Sequence, residues 1–358
     1  MHDDTQVHTG RGAVTNPAGR FELKHVVAVD DGWVHDDEEL PPLATTVQAD
    51  ASRSIITRND SPDISFNQSI NPYRGCEHGC IYCFARPSHA YFNLSPGLDF
   101  ETKLFYKPDA AKLLEAELAK PTYRCQTIAI GTNTDPYQPI ERDYKVMRGI
   151  LEVLHACDHP VSIVTKGSLI ERDIDLLAAM AKKKLASVAI SVTTLRNDLK
   201  RTLEPRTASP AARLRVIKSL SDAGVPVTVM VAPVIPLLTD GELEQILEAA
   251  AKAGAKHAGY LIVRLPHEVK QLFRDWLNTH EPLKAKHIMS LLNQMRGGRD
   301  NDPRYGTRQT GEGIYAELLA KRFVTVCGRL GLNRGERYSL DTKQFVPPVI
   351  EGTQLSLW

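Results

Sequence analysis

Long apolar runs are missing from this chain of 358 residues. Its most apolar stretch, 229–238, holds two prolines and falls well short of the ~20 residues that span a bilayer. No membrane partner is expected. The first residues, His2, Asp3 and Asp4, have neither the basic nor the apolar segment of a secretion signal, so a cytoplasmic protein is expected. Excess charge of one sign is missing as well: 44 Lys and Arg against 43 Asp and Glu leave a formal +1. That balance argues against a protein that coats nucleic acid by bulk electrostatics. Six cysteines without an export signal do not read as a disulfide framework. Internal repeats and low-complexity tracts are also absent.

The average charge hides an asymmetry. Residues 1–50 carry ten acids and three bases, whereas 284–337 carry eleven bases and five acids. Either stretch can be a solvated face. The sharper expectation is that the basic part meets an anionic substrate while the acidic leader shields it or packs on it.

Residues 1–60 show no sustained period and read as an irregular acidic leader. From there the text alternates. Apolar, β-branched runs at 64–70, 127–131, 161–165, 188–193, 225–231 and 259–263 read as strands. Between them, 109–120, 144–156, 170–183, 210–223, 241–253 and 268–278 space apolar residues three and four apart, as amphipathic helices do. Gly224 and Gly254 fall where helix C-caps belong. Six βα units require a parallel sheet with right-handed crossovers, and by themselves allow a doubly wound sheet or an incomplete barrel. Two further helices, 284–295 and 313–330, follow the alternation. The chain thus divides into a leader (1–60), an α/β core (61–283) and a basic, helical C-terminal extension (284–358).

Three cysteines are grouped directly after the first strand: Cys76, Cys80 and Cys83, a C-x3-C-x2-C in a turn announced by Asn71-Pro72 and Gly75. That spacing lets three thiolates converge on one metal centre. Iron–sulfur cubanes are held by cysteine thiolates, normally four, so three would leave one iron open for catalysis. Two plainer readings compete. One is a structural zinc completed by His78 or His89, although the second C-x2-C pair usual for zinc is missing. The other is a closed cluster with Cys125, Cys157 or Cys327 as fourth ligand.

Cys76-x3-Cys80-x-Tyr82-Cys83 resembles the signature of radical S-adenosylmethionine (SAM) enzymes, whose fold is a partial (β/α)6 TIM-type barrel; here the likeness spans roughly 64–280. The wording Asn71-Pro72-Tyr73-Arg74-Gly75-Cys76, with Thr134-Asp135-Pro136-Tyr137-Gln138-Pro139, is similar to the spore photoproduct lyase-like branch. Gly10-Arg11-Gly12-Ala13 and Arg20-Phe21-Glu22 look like the leader of a bacterial subgroup. The resemblance implies a [4Fe–4S] cluster on Cys76, Cys80 and Cys83, and SAM at its open iron. It implies reductive cleavage to a 5′-deoxyadenosyl radical that abstracts hydrogen from substrate, and a low-potential electron donor of the flavodoxin or ferredoxin type.

Every strand end carries polar or metal-binding groups above an apolar strand body, as a catalytic mouth over a packed core requires. Thr132, Asn133, Thr134 and Asp135, followed by Glu141, end strand two; the first four suit the ammonium of SAM. Lys166 ends strand three and is similar to a lysine that touches SAM in the lyase branch. Ser191 ends strand four at a position that commonly meets the ribose or carboxylate. Arg206 can clamp a carboxylate or simply pair with Glu204. Arg264, His267 and Glu268 end strand six. Tyr82, between two cluster cysteines, is the catalytic candidate.

The sequence departs from the lyase at two places. The lyase's hydrogen-donating cysteine has no counterpart in Gly131–Asp135, and Phe84 replaces the second tyrosine beside the third cluster cysteine. A different substrate or a different quench of the radical is therefore expected. Nucleic acid is one candidate, motivated by Arg296, Arg299, Arg304, Arg308, Lys321, Arg322 and Arg329, with Tyr305 or Tyr91-Phe92 as wedges. A peptide or small metabolite, or a non-enzymatic iron–sulfur redox protein, are the alternatives.

Overall fold

The structure, a computed structural model, describes residues 6–21, 43–335 and 339–349. Ten strands are present among them: β1 (Thr46–Ala49), β2 (Ile56–Arg58), β3 (Gln68–Ile70), β4 (Tyr73–Arg74), β5 (Lys103–Tyr106), β6 (Ile128–Ile130), β7 (Val161–Thr165), β8 (Ala186–Ser191), β9 (Val227–Val234) and β10 (His257–Ile262). The main sheet has seven strands in the order β10-β9-β8-β7-β6-β3-β2. All neighbours from β3 to β10 are parallel, and β2 adds an antiparallel edge. The six expected strands are therefore the six parallel ones. Among the described residues the sheet is open, with no pairing between β10 and β2, as in a partial TIM-type barrel.

Sequence reading missed two parts of this architecture. Residues 46–49 and 56–58, inside the stretch read as irregular, form strands. A second sheet, β1-β5-β4, also stands beside the first. These strands are two to four residues long, too short for a period-2 pattern to show against their surroundings.

Alternation decides which way the central strands face. In β7 the buried positions are Val161, Ile163 and Thr165, and in β8 they are Ala186, Val188, Ile190 and Ser191. The helix Val146–Ala156 buries Val146, Met147, Ile150, Leu151 and Leu154, the three-to-four spacing of a face laid on a sheet. Helix Pro210–Asp222 begins with Ser209, whose side chain accepts from the Ala212 amide, and has proline at its first turn. It is followed by Gly224 at φ +80°, left-handed as a helix stop requires.

The open seam is bridged by loops. The Ile262 amide donates to the Gln309 carbonyl, so loop 297–313 covers the β10 edge. The same loop reaches the segment before β3, where Arg308 grips Asp63 and Gln309 Nε2 donates to the Asp63 carbonyl at 3.1 Å. Helix Ile314–Leu330 then packs on helix Leu243–Lys252, with Arg322 paired to Glu244 at 2.7 Å. At the opposite end of the barrel Phe345 covers His159 and Tyr123. Most of the acids of the leader fall at 22–42, outside the described residues, so the shielding role expected of them finds no placement here. Among the described residues no helix is long and apolar enough to cross a membrane.

Candidate active site

The loop after β3 and β4 is fixed by two charged side chains with no exposed surface. Arg86 donates Nε to the Cys80 carbonyl at 2.9 Å and Nη2 to the Gly79 carbonyl at 3.2 Å, and its Nη1 reaches the Pro96 and Gly97 carbonyls. Its charge is met by Glu101. The Glu101 carboxylate also accepts the amides of Gly12 and Ala13, both at 2.9 Å. The leader is thereby tied onto the cysteine loop. Contact there is tight: a Cβ on Gly12 would stand 1.9 Å from the Gly79 carbonyl oxygen. Further along, Arg20 pairs with Glu268 at 3.0 Å and Thr15 meets Asp275 at 3.2 Å. Residues 6–21 therefore cross the mouth from the cysteine loop to the β10 side.

Cys76, Cys80 and Cys83 share one neighbourhood. Burial pushes the Cys76 thiol up, and Asp135, Cys80 and Cys83 add to the push. The other three cysteines lie elsewhere. Cys125 precedes β6 and Cys157 follows helix Val146–Ala156, both at the end of the barrel away from the loop, and Cys327 is buried on helix Ile314–Leu330. None is placed to complete a four-cysteine cluster. The zinc alternative fares no better. His78 Nδ1 faces Asp135 at 3.3 Å and His89 Nε2 faces the Lys103 carbonyl at 2.9 Å. Among the described residues no three such side chains converge tightly enough for one ion. Thiolates that each take a different iron of a cubane stand further apart than the ligands of a single ion, so three thiols on one loop, two buried and Cys83 half-buried, suit a cluster.

Behind the thiols lies a second buried network. Glu204 accepts from Tyr82 and Arg213, accepts from Thr193 Oγ1 at 2.7 Å, and stands 3.4 Å from Lys166 Nζ. Burial would raise its carboxyl, but Arg213 and Lys166 outweigh that and hold it well below the carboxylate range. Lys166 Nζ donates to Ser191 Oγ at 2.5 Å and to the Ala232 carbonyl at 2.8 Å, and sits 5.8 Å from the Tyr82 ring centroid. Tyr82, Lys166 and Ser191 are thus brought together beside Cys80.

Other expected groups are placed differently. Asp135 is already satisfied: it accepts from Thr165 Oγ1 at 2.6 Å and from the Lys166 amide at 2.7 Å. Burial would raise it, yet His78 and these bonds keep it low. Thr134 is buried and donates to the Tyr73 carbonyl. Thr132 is half-buried and Asn133 exposed, and the Asn133 amide donates to Asn71 Oδ1 at 3.1 Å. The expected Glu204–Arg206 pair does not form, because Arg213 reaches Glu204 from helix Pro210–Asp222 and leaves Arg206 to pair with Glu77 at 2.9 Å. Glu141 is no part of the mouth; it is buried against Tyr73 and Arg172.

Sequence reasoning missed Arg86, Glu101 and Arg213. Arg86 lies three residues after Cys83, close enough to have been tied to the loop. Glu101 carries no local signal, since the amides of Gly12 and Ala13 lie 89 and 88 residues away. Arg213 is nine residues from Glu204 and meets it only through the turn into helix Pro210–Asp222.

The basic C-terminal region is less available than its composition suggests. Arg296 is buried and donates to four carbonyls, of Ile262, Val263, Thr307 and Arg308. Arg304 pairs with Asp302 and Glu312, Arg308 with Asp63, Arg322 with Glu244 and Arg329 with Glu248. Tyr305 lies under Arg308, and Tyr91 packs on Phe21 of the leader.

A cysteine loop at the C-terminal end of an open parallel barrel defines a class of protein, the radical SAM fold. The Radical SAM superfamily model matches residues 70–250, and the chain belongs to that superfamily of enzymes. Among its relatives, an uncharacterized protein of Mycobacterium tuberculosis is 43% identical over 260 residues, 72% of this chain and 75% of the relative. An uncharacterized protein of Methanocaldococcus jannaschii is 31% identical over 175 residues, 48% of this chain and 62% of its own. Among solved structures, a doubly substituted spore photoproduct lyase with AdoMet and a dinucleoside spore photoproduct bound superposes with a TM-score of 0.58. It covers 84% of this chain and 86% of its own at 16% identity, so the likeness is one of fold.

Proposed function

We propose that Cys76, Cys80 and Cys83 hold a [4Fe–4S] cluster by three irons and leave the fourth to SAM. When bound, these groups supply reductive cleavage of SAM to a 5′-deoxyadenosyl radical, which takes a hydrogen atom from a substrate. The observation that carries this reading is the set of three free thiols, Cys76 and Cys80 buried and Cys83 half-buried, on a loop locked by Arg86, in a chain of this superfamily. Lys166, Ser191 and Tyr82 face the same space and are assigned to SAM. Thr132 and Asn133, whose side chains are hydrogen-bonded to nothing among the described residues, are assigned to its polar end. Asp135 and Thr134 position the strand end, and Arg206 orders Glu77 next to Cys76. Residues 61–283 form the catalytic core. A cytoplasmic setting and a low-potential flavodoxin or ferredoxin suit an oxygen-sensitive cluster.

For the substrate, the solved lyase that this fold resembles was captured with a dinucleoside photoproduct, which supports a lyase- or repair-like reaction on nucleic acid. A specific observation favours a second reading, a peptide or small metabolite: most arginines of the C-terminal region are already paired within the chain. Neither a thiol at 131–135 nor a phenol at position 84 is present to return the hydrogen as the lyase does. Anaerobic reconstitution followed by dithionite and SAM tests the core reading. Four irons per chain and release of 5′-deoxyadenosine are expected, and an intact cluster that leaves SAM whole would overturn it.

A further inference from the structure

Arg264 follows β10 at the end of the sheet that carries the cysteine loop. Its guanidinium lies 5.6 Å from the ring centroid of Phe84, the residue after Cys83. Phe84 is 46% exposed, so the pair opens onto the mouth. Arg264 Nε is buried with no hydrogen-bond partner, and among the described residues the side chain forms no ion pair.

The charges around it do not compensate it. Burial lowers its pKa, Arg308 lowers it further, and Asp63 is the acid that opposes them. Asp63 is already taken by Arg308 through both oxygens. Arg296 is the third guanidinium of the group and is saturated by backbone carbonyls. The two acids near these three cations, Asp63 and Asp302, are already engaged by Arg308 and Arg304, which leaves Arg264 without a carboxylate of its own. An unpaired, partly desolvated guanidinium is costly on its own and is stabilised when an anion completes it.

We propose that Arg264 anchors a phosphoryl group of the substrate against the rim of the cluster site. This rests on the reading of the mouth as the place where substrate meets SAM. The guanidinium fork matches a tetrahedral oxyanion, which a lysine would meet as a point charge. The uncompensated charge of Arg264, with Asp63 and Asp302 both engaged elsewhere, favours a phosphoryl group, with its several anionic oxygens, over a lone carboxylate. Phe84 holds the guanidinium over its ring, and the terminal nitrogens, which make no hydrogen bond among the described residues, are left for the ligand.

The test uses the reconstituted enzyme and inorganic phosphate, with acetate as the carboxylate control, in calorimetric titrations at fixed ionic strength. The unaltered chain should bind phosphate and prefer it to acetate. Arg264→Gln, which keeps a stem over Phe84, should weaken phosphate by about ten- to hundredfold. Arg264→Lys, with charge but no fork, should fall between. Equal affinity in the Gln variant, or no phosphate binding by the unaltered chain, would overturn the anchor. Acetate binding as tightly as phosphate would overturn its phosphoryl selectivity. If Arg264→Gln does not fold, shown by its thermal transition, the Lys variant decides. Release of 5′-deoxyadenosine by the unaltered enzyme is measured separately, so failure of the radical reading is told apart from failure of the anchor.

Discussion

Arg86 and Glu101 form an ion pair with no exposed surface directly beneath the cysteine loop. Five carbonyl or carboxylate partners saturate the guanidinium, and two leader amides complete the carboxylate. A buried pair of this kind is not chiefly a source of stability, because desolvation offsets much of its attraction. Its consequence is geometric. Loop, leader and the turn at 96–97 are held to one point, which fixes the backbone that carries Cys80 and Cys83.

Glu101→Gln should therefore be severe. It leaves the Arg86 cation buried without its counter-ion, a change worth about 3–5 kcal/mol. Urea denaturation of the metal-free chain should show that loss, and iron content after reconstitution should fall with it. Arg86→Lys should also fail, since one ammonium cannot reach the Cys80, Gly79 and Pro96 carbonyls together. An unchanged midpoint with full iron would contradict the assignment.

The Glu204 network gives a graded prediction. Tyr82→Phe removes one donor and leaves Glu204 to Arg213, Lys166 and Thr193, so about 1 kcal/mol should be lost. Glu204→Gln strands the Arg213 charge and should cost several times more. The assignment of Tyr82 to the cofactor further predicts that Tyr82→Phe loads iron normally yet cleaves SAM more slowly. Comparing iron content with 5′-deoxyadenosine yield in that variant checks it; equal yields would place Tyr82 outside the chemistry.

How far the site was legible follows the range of each signal. The C-x3-C-x2-C spacing and the strand-end Lys166 and Ser191 are local, and the structure gathers all of them at one mouth. Glu101 meets leader amides 88 and 89 residues away, and no pattern in one sequence reports such a pairing. Arg213 is only nine residues from Glu204, but the turn that joins them leaves no periodic mark. The same limit explains the Glu204–Arg206 expectation. Nearness in the chain suggested that pair, while helix Pro210–Asp222 delivered a better-buried arginine. The basic C-terminal extension misled because composition counts cations and not the acids that fold against them. Of the strands, the six parallel ones recur in step with amphipathic helices, which marks even the three-residue β3 and β6, whereas β1, β2, β4 and β5 are short and stand outside that alternation.

Acid should weaken the fold through His159. Its ring is buried, with Nδ1 on the Pro160 carbonyl at 3.0 Å and Nε2 on the Tyr123 hydroxyl at 2.7 Å. Burial lowers its pKa from 6.5 to about 4, with the Pro160 contact opposing. The folded chain thus keeps this ring neutral while the unfolded chain protonates it near 6.5. The contribution is intact above that value and is lost as pH falls toward 4, to a total of about 3 kcal/mol at roughly 1.4 kcal/mol per unit. Denaturation of the metal-free chain at pH 7 and pH 4.5 measures the slope. His159→Gln should lower stability at pH 7 and flatten the difference; a slope equal to that of the unaltered chain would assign the acid sensitivity elsewhere.

The leader's role can be tested at a single hydrogen atom. Gly12 passes so close to Gly79 that a Cβ would meet its carbonyl oxygen at 1.9 Å and its carbonyl carbon at 3.1 Å, both backbone atoms. Neither can move without shifting Cys80, because Arg86 holds the Gly79 and Cys80 carbonyls together. Gly12→Ala must then lift the leader, which takes the Gly12 and Ala13 amides away from Glu101 and leaves that carboxylate leaning on Arg86 alone. An overpacking loss of about 1–3 kcal/mol is expected, with faster proteolysis within residues 6–21 and poorer retention of iron. Gly241→Ala is the matched control, since nothing lies within 4 Å of a Cβ there. Iron retention and leader protection that stay unchanged in Gly12→Ala would mean the leader rests on the mouth without helping to hold the cysteine loop.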